Sequence, residues 1–296
     1  MIVFFLLKNA GFFSEIFFMI NYYLICKKYN SPFSINTINW LFKYRDGWHD
    51  YFNSLEEFTN DQDYYLAPTR VPEEISFCDN IDFTLIDYRN AMIPIFKLNS
   101  TLYELYKKTF EQFELDNYDA IFIRRGDKMI QESVYIRSRN YVDILLSKKK
   151  VSTIFVQTDD YNAYLEIKEY IQLLKLDIKV FTTCPEHKKG VHMFGINLKG
   201  SSLSKENDTY IKNQSHSTKP IIQYNNEEIY EHTKEMLIGL EICKNSDYLS
   251  LDLQSNVSRY LLLTHQNYNN VLDVQNTSID YNKPILCPAI GIKYKY

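Results

Sequence analysis

The chain reads as an α/β protein with doubly wound parallel sheets, and two observations carry this reading. From about Tyr118 onward, short apolar runs alternate with stretches of helical spacing, the pattern left by parallel strands joined through crossover helices. Three of those apolar runs also end abruptly in polar clusters, which a parallel sheet gathers along one edge. The composition permits such a fold: of 296 residues, 45% are apolar and 24% charged, enough to bury a core.

The opening residues predict one β-turn-α unit. A buried strand is expected at Ile2–Leu7, a turn at Asn9–Gly11, and a helix over Phe12–Lys28 whose Phe13, Phe17, Ile20 and Leu24 share a face. Lys8, Asn9, Ser14, Glu15 and Asn21 interrupt the apolar stretch, so no membrane insertion is expected. The early basic region and small-residue cleavage site of a signal peptide are missing too. The aromatic segment Asn39–Phe52 lacks a clean period. It reads either as a loop anchored by its rings or as part of a groove for a sugar, on whose faces Trp and Tyr stack. Asn60–Ser76 is a polar, proline-punctuated connection, and Asn90–Leu115 has helical spacing broken at Pro94, with a cap at Ser100.

The second half is more regular. Strand Ala120–Ile123 is followed by a charged loop and a helix around Tyr141–Leu146, then strand Thr153–Gln157, helix Tyr161–Leu174 and strand Lys179–Thr182. Loops are expected over Cys184–Asn226, then helix Glu227–Asn245, strand Tyr248–Leu251 and helix Arg259–Thr264. The organisation expected is a first domain over residues 1–117, a second over 118–270, and a C-terminal segment, 271–296, packing back on the first.

Several function classes drop out. A net charge of -4 provides no global positive field, so no nucleic-acid partner is expected and any phosphate recognition must be local. Cys26, Cys78, Cys184, Cys243 and Cys287 are widely spaced without a CxxC pair, which fits reduced thiols and a cytoplasmic location. His49, His187, His192, His216, His232 and His265 show no ligand spacing, so no metal site is expected from them. Neither GxGxxG, GxxxxGK[ST] nor a G-x-S-x-G elbow occurs. Asp61-Gln-Asp63 has the form of a metal-binding Asp-x-Asp but lies in a polar connection instead of at a strand end.

The three strand-end clusters carry the chemistry. Arg124, Arg125, Asp127, Lys128 and Glu132 follow the first strand; Thr158, Asp159 and Asp160 the second; Gln254, Ser255, Asn256 and Ser258 the third. Arginine offers a planar fork to a diphosphate and stays charged at any working pH. Ser255, with the amides of Asn256 and Val257, sits where a strand gives way to a helix, a natural phosphate seat. Asp159 and Asp160 are placed to accept from a base or ribose. Alone, any one cluster reads equally as a salt-bridged turn; in sheet order they read as one wall of a ligand site.

These residues carry a resemblance. Ile121-Phe-Ile-Arg-Arg-Gly-Asp-Lys128 with Glu132 resembles the His-x-Arg-Arg-x-Asp-Lys…Glu motif of the alpha-1,6-fucosyltransferase and NodZ-like fucosyltransferases, more distantly related to protein O-fucosyltransferases. Gln157-Thr-Asp-Asp160 resembles their Thr-Asp-Asp segment, and Asp247–Arg259 their Ala-Asp-Phe…Ser-Ser-Gln-Val-x-Arg stretch. Order and approximate spacing match over residues 118–262, and Gly11-Phe-Phe-Ser-Glu15 is similar to the family's amino-terminal glycine turn.

The resemblance implies a GT-B glycosyltransferase with two Rossmann-like domains and parallel sheets. The second domain would hold GDP-fucose, and the first would face a glycan acceptor. Transfer would invert the anomeric centre, with no metal or other cofactor. Carried onto this chain, Arg124 would bind the donor β-phosphate. Arg125 and Lys128 would support that loop, and Glu132 would be the general base. Asp159 and Asp160 would contact guanosine; Ser255, Asn256 and Val257 would seat the diphosphate, with Gly11 also on the donor. Two positions depart from the family: Phe122 replaces its histidine, and Gly239, with Glu241 two residues on, falls where it has a guanine-reading aspartate.

Overall fold

A computed structural model describes residues 2–6, 11–53, 58–59, 83–131, 134–191, 207, 209–210, 219–277, 279–282 and 284–285. The chain divides into two compact units: Met1–Tyr103 with Asn226–Glu231 and Ile279–Tyr296, and Glu104–Asn225 with His232–Ser278.

The first unit opens with strand β1 (Ile2–Phe5), helix α1 (Phe12–Lys28) and strand β2 (Phe33–Asn36), a right-length crossover for the parallel pair that β1 and β2 form. A two-residue strand β3 (Phe58–Thr59) adds beside β2 in parallel. Strand β4 (Phe83–Thr84) pairs antiparallel with Pro284–Ile285. It leads into α2 (Leu85–Ile95), which starts on a capping box: the Asp87 amide donates to Thr84 Oγ1 at 3.2 Å, and the Thr84 amide to Asp87 Oδ2 at 2.8 Å. Pro94 stands in the last turn of α2, and α3 (Ser100–Gln112) begins under Asn99, whose Oδ1 accepts the Leu102 amide at 2.9 Å.

The aromatic segment resolves to the inward alternative. Trp40, Phe42, Trp48, Tyr51 and Phe52 are all buried and pack with Phe12 and Phe96, ring centroids standing 4.6 Å apart for Trp48–Phe52 and 5.3 Å for Phe12–Trp40. Those rings form a core; their faces are not offered to a sugar. Asp50 organises the turn ahead of it by accepting the amides of Tyr44, Arg45 and Asp46 at 2.8–3.1 Å.

The second unit is a five-stranded, all-parallel sheet: β5 (Asp119–Ile123), β6 (Thr153–Thr158), β7 (Lys179–Thr182), β8 (Leu249–Leu251) and β9 (Val271–Asp273), in spatial order β7-β6-β5-β8-β9. Its helices are α4 (Lys128–Gln131), α5 (Ser138–Leu146), α6 (Tyr161–Leu173), α7 (Asn226–Lys244) and α8 (Asn256–Thr264), with the first residues of α7 grouped in the other unit. Every residue of β5 is buried, as a central parallel strand covered on both faces requires. Ile121, Ile123, Ile154 and Val156 project onto one face and pack with Val142, Leu145, Ala163, Ile167 and Ile171 from α5 and α6. Each of the larger aliphatic side chains contributes about 1.5–3 kcal/mol by leaving water.

The chain builds outward from β5 through β6 to β7, then returns to the other side of β5 for β8 and β9. The reversal makes the C-terminal ends of β5 and β8 the topological switch point, the edge at which open α/β sheets place their ligands. β2 and β9 lie outside the strands expected from sequence. Each is four residues or fewer, too short to display a period.

A candidate ligand site at the switch point of the second sheet

The loop after β5 turns on Gly126, at φ 69°, directly against the backbone of Val191. Gly190, at φ 88°, approaches from the other side, and the Asp127 amide donates to the Val191 carbonyl at 3.0 Å. Only glycine fits both positions, since a side chain would need a left-handed backbone and would collide with main chain.

Asp159, at the end of β6, ties this junction together. Its carboxylate accepts the Arg125 amide at 2.7 Å and the Val191 amide at 3.0 Å, and it pairs with the Arg124 guanidinium. Arg124 also bonds Asp127 at 2.9 Å and the Val191 carbonyl at 3.3 Å. The side chain expected to meet a phosphate therefore stands at the strand edge, partly exposed, held by two carboxylates. The oxygens of Asp159, expected to read a base, are committed to the protein.

Asp160 has no exposure: it caps α6 through the Asn162 amide at 3.1 Å and lies 3.5 Å from Arg125. A ligand cannot reach it, so its place is structural. Arg125 is buried with it. Glu166 takes its guanidinium at 2.7 and 3.1 Å, Ser138 and Tyr135 add hydrogen bonds at 2.9 and 3.0 Å, and the Tyr135 ring covers it at 4.8 Å. Burial disfavours the Glu166 carboxylate, but Arg125 outweighs it, with help from Ser138 and Tyr135, and holds its pKa below the usual range. Lys128 opens α4, half-buried. Glu132, Asp61 and Asp63 lie outside the described residues.

The third cluster is positioned by α8. Ser255 is its N-cap, Oγ accepting the Ser258 amide at 3.0 Å, and the helix starts three residues earlier than the spacing suggests. The amides of Asn256 and Val257 occupy the first turn, where an α-helix has no acceptors of its own for them. Arg259 braces the loop, donating to the Leu253 carbonyl at 3.0 Å and to Asn256 Oδ1 at 3.0 Å. Gln254 links this loop to the one after β5, its Oε1 accepting the Val134 amide at 3.0 Å. Asn207, wholly buried, bridges the same stretch, accepting the Tyr135 amide and donating to the Met129 carbonyl, both at 2.8 Å. Gly11 belongs to the other unit, where it caps α1 with open space at its Cα.

Four groups that the sequence did not single out line or support this edge. His232, on α7, is pushed down to about 3 by burial and then by the cations of Lys188 and Arg124, so it is neutral at physiological pH. The Tyr210 hydroxyl secures the turn by accepting the Gly126 amide at 3.2 Å. Asp252, just beyond β8, is pushed up to about 7, by burial first and by the Asp273 carboxylate, against hydrogen bonds from Gln275 and Gln254. Glu166 is the fourth. The two positions that differ from the resembled motif lie side by side in the sheet's surroundings through Gln157. Phe122 is buried and pairs in register with Gln157, and the Gln157 amide fills the space over Gly239 where any Cβ would stand.

Among the described residues, no group of three or more His, Cys, Asp or Glu side chains gathers as metal ligands would, and no helix is long and apolar enough to cross a membrane. Cys26, Cys184 and Cys243 are buried free thiols.

No protein-family model matches the chain, and no curated protein matches it. Solved structures do. The selenomethionine form of fucosyltransferase NodZ from Bradyrhizobium is similar at 11% identity and a TM-score of 0.51, over 89% of this chain and 91% of that one. NodZ alpha-1,6-fucosyltransferase soaked with GDP-fucose aligns over the same shares at 10% identity and a TM-score of 0.49. The chain is an α/β protein with parallel sheets and has the GT-B fold of a NodZ fucosyltransferase.

Proposed function

We propose that this chain is an inverting, metal-independent glycosyltransferase that moves fucose from GDP-fucose to a hydroxyl of a glycan acceptor. The observation that carries the reading is the switch point: Arg124 after β5 and the start of α8 after β8 lie at the same sheet edge, in a chain with the fold of NodZ.

The chemistry follows from charge. As the glycosidic bond breaks, the sugar becomes oxocarbenium-like and the departing diphosphate gains negative charge. Arg124 and the first-turn amides of α8 oppose that charge most strongly at the transition state. For Arg124 to do so, the phosphate replaces one of its present carboxylate partners, Asp127 or Asp159. Ser255, Asn256 and Val257 form the diphosphate seat. Arg125, Asp159 and Asp160 act from behind, fixing the loop that presents Arg124. Lys128 supports the same loop. The resemblance makes Glu132 the base that takes the acceptor proton from the face opposite the leaving group, as inversion requires.

Gly239 favours a second reading, the same reaction with a different base on the donor. The Gln157 amide occupies the space there, so that position offers no carboxylate to guanine. A thermal-shift panel of nucleoside diphosphates separates the two. Stabilisation by GDP above UDP, ADP and CDP supports guanosine; preference for another base moves the donor and keeps the transferase. Release of fucose or its transfer from GDP-fucose, lost in Arg124→Ala with the melting temperature retained, supports catalysis. GDP binding without turnover on any acceptor would make the chain a nucleotide-sugar binder.

A further inference from the structure

We infer that His232 is a further ligand of the donor's diphosphate, its imidazole N–H donating to a phosphate oxygen beside Arg124. This deepens the sugar-nucleotide reading and rests on it.

Helix α7 carries His232 to the edge where that site lies. The Tyr118 hydroxyl, just before β5, donates to the Ile242 carbonyl at 2.7 Å, so the last turns of α7 lie at the N-terminal edge of the sheet. Gly239 then meets the Gln157 amide near the end of β6. His232 stands two helical turns earlier on the same face, about 10 Å further along the axis, level with the loops beyond the strand ends. One of those loops is fastened there: Lys188, after β7, pairs at 2.8 Å with Glu235, one turn from His232. The same loop reaches Arg124 through Val191, whose carbonyl accepts from the guanidinium at 3.3 Å.

The imidazole is half-buried, so a ligand can reach it, and the Tyr224 ring stands edge-on to it at 6.5 Å between centroids. Among the described residues it makes no hydrogen bond. A neutral imidazole has one N–H to donate, and the cations whose fields it feels, Lys188 and Arg124, have no acceptor to offer. The acceptor must arrive from outside the protein. Two cations beside the ring indicate an anion: a phosphate oxygen accepts from His232 and is attracted by both. A sugar hydroxyl would satisfy the ring alone, and a metal ion would be repelled.

The charged groups around the ring are Lys188 with Glu235, Arg124 with Asp127 and Asp159, and, across Tyr224, Lys219. Burial and then the cations of Lys188 and Arg124 keep the free ring neutral. A diphosphate offsets those cations, so the ring takes up a proton more readily when the donor is bound, and the contact becomes charge-assisted.

Two variants test this by different routes. His232→Phe removes the N–H and keeps a ring against Tyr224; His232→Gln keeps a donor that cannot titrate. Binding of GDP and of inorganic pyrophosphate is measured by calorimetry at pH 6 in buffers of differing ionisation enthalpy, which counts the protons taken up. His232→Phe is expected to weaken both ligands by roughly 10- to 100-fold, with its melting temperature retained. His232→Gln is expected to lose less affinity and to take up fewer protons than wild type; the ligand's own titration is common to both proteins and cancels. Wild-type affinity for both ligands in His232→Phe, or a wild-type proton count in His232→Gln, would overturn the inference and leave the sugar-nucleotide reading intact. A loss for GDP with pyrophosphate unaffected would place His232 on the nucleoside and overturn it too. Failure of the wild-type chain to bind either probe would overturn both readings.

Discussion

Glu166 grips Arg125 with both carboxylate oxygens, at 2.7 and 3.1 Å, so the arginine behind the site is neutralised from within the fold and is not left for a ligand. Arg125 is almost fully buried while Glu166 keeps 39% of its side-chain exposure. Removing the arginine also strands Ser138, Tyr135 and Asp160, so Arg125→Met is expected to cost about 2–4 kcal/mol in urea unfolding. Glu166→Gln is expected to cost less, about 1 kcal/mol, because an amide still accepts and solvent screens the site. The pH sign follows from the depressed Glu166 pKa. The pair's contribution is complete above the normal carboxylate range and is lost as pH falls from that range through the depressed folded pKa, so the gap between wild type and Glu166→Gln should narrow in acid.

Arg124, on the same loop, keeps partial exposure at the sheet edge between Asp127 and Asp159. Arg124→Ala is expected to lower kcat/KM by about 100- to 1,000-fold, the range for removing one charge-stabilising donor, with little change in melting temperature. Arg124→Lys should recover only a small part, since a point charge cannot hold its remaining carboxylate partner and a phosphate together as a planar fork does. Parallel steady-state kinetics and circular dichroism check both.

Gly126 permits no side chain. Gly126→Ala would combine a left-handed backbone with a collision against Val191, and it is expected to cost at least about 2 kcal/mol and to lower donor affinity by displacing Arg124. Gly11→Ala meets open space and is expected to leave stability within about 0.5 kcal/mol. Chemical denaturation of the two variants side by side makes the comparison.

Asp252 carries the opposite sign from Glu166. Its folded pKa of about 7 lies above the unfolded carboxylate value, so the native state binds the extra proton and stability falls as pH rises from about 4 through 7. Asp252→Asn removes that penalty. It should melt higher than wild type at pH 8 and close to it at pH 4, by scanning calorimetry at both.

Gly239 and Gln157 are expected to behave as a coupled pair. Gly239→Asp should destabilise by displacing the Gln157 amide, and Gln157→Ala in the same chain should recover part of the loss. A double-mutant cycle on stability gives the coupling, and GDP affinity in the double variant reports whether a carboxylate there favours guanine.

What the sequence discloses is governed by range. α1 begins and ends at Phe12 and Lys28 as its spacing predicts, and β7 matches residue for residue, because both patterns are local. The three strand-end clusters were legible for the same reason, and the sheet does bring β5, β6 and β8 together. The division of labour inside them was not. An aspartate after a strand looks the same whether it faces a ligand or, like Asp159, two backbone amides supplied from residues 125 and 191. Glu166 reads as one more charge on a helix surface until Arg125, 41 positions away, is seen against it. Gln254 and Val134 are separated by 120 positions, and no local signal connects them. Asn207, a single polar residue in a stretch without a period, is a buried clamp between Tyr135 and Met129.

The strand order has a consequence for how the second unit is made. β5 acquires β6 as soon as the next crossover is complete, but its other edge stays open until Leu249–Leu251 emerges, and β8 in turn waits for Val271–Asp273. During synthesis the most apolar strand of the sheet therefore spends the translation of α6, β7 and α7 with one row of N–H and C=O groups unpaired. Such long-range closure is slow and invites edge-to-edge pairing between nascent chains. Expression yield should accordingly respond to chaperone supply and temperature more than the finished protein's melting point would suggest.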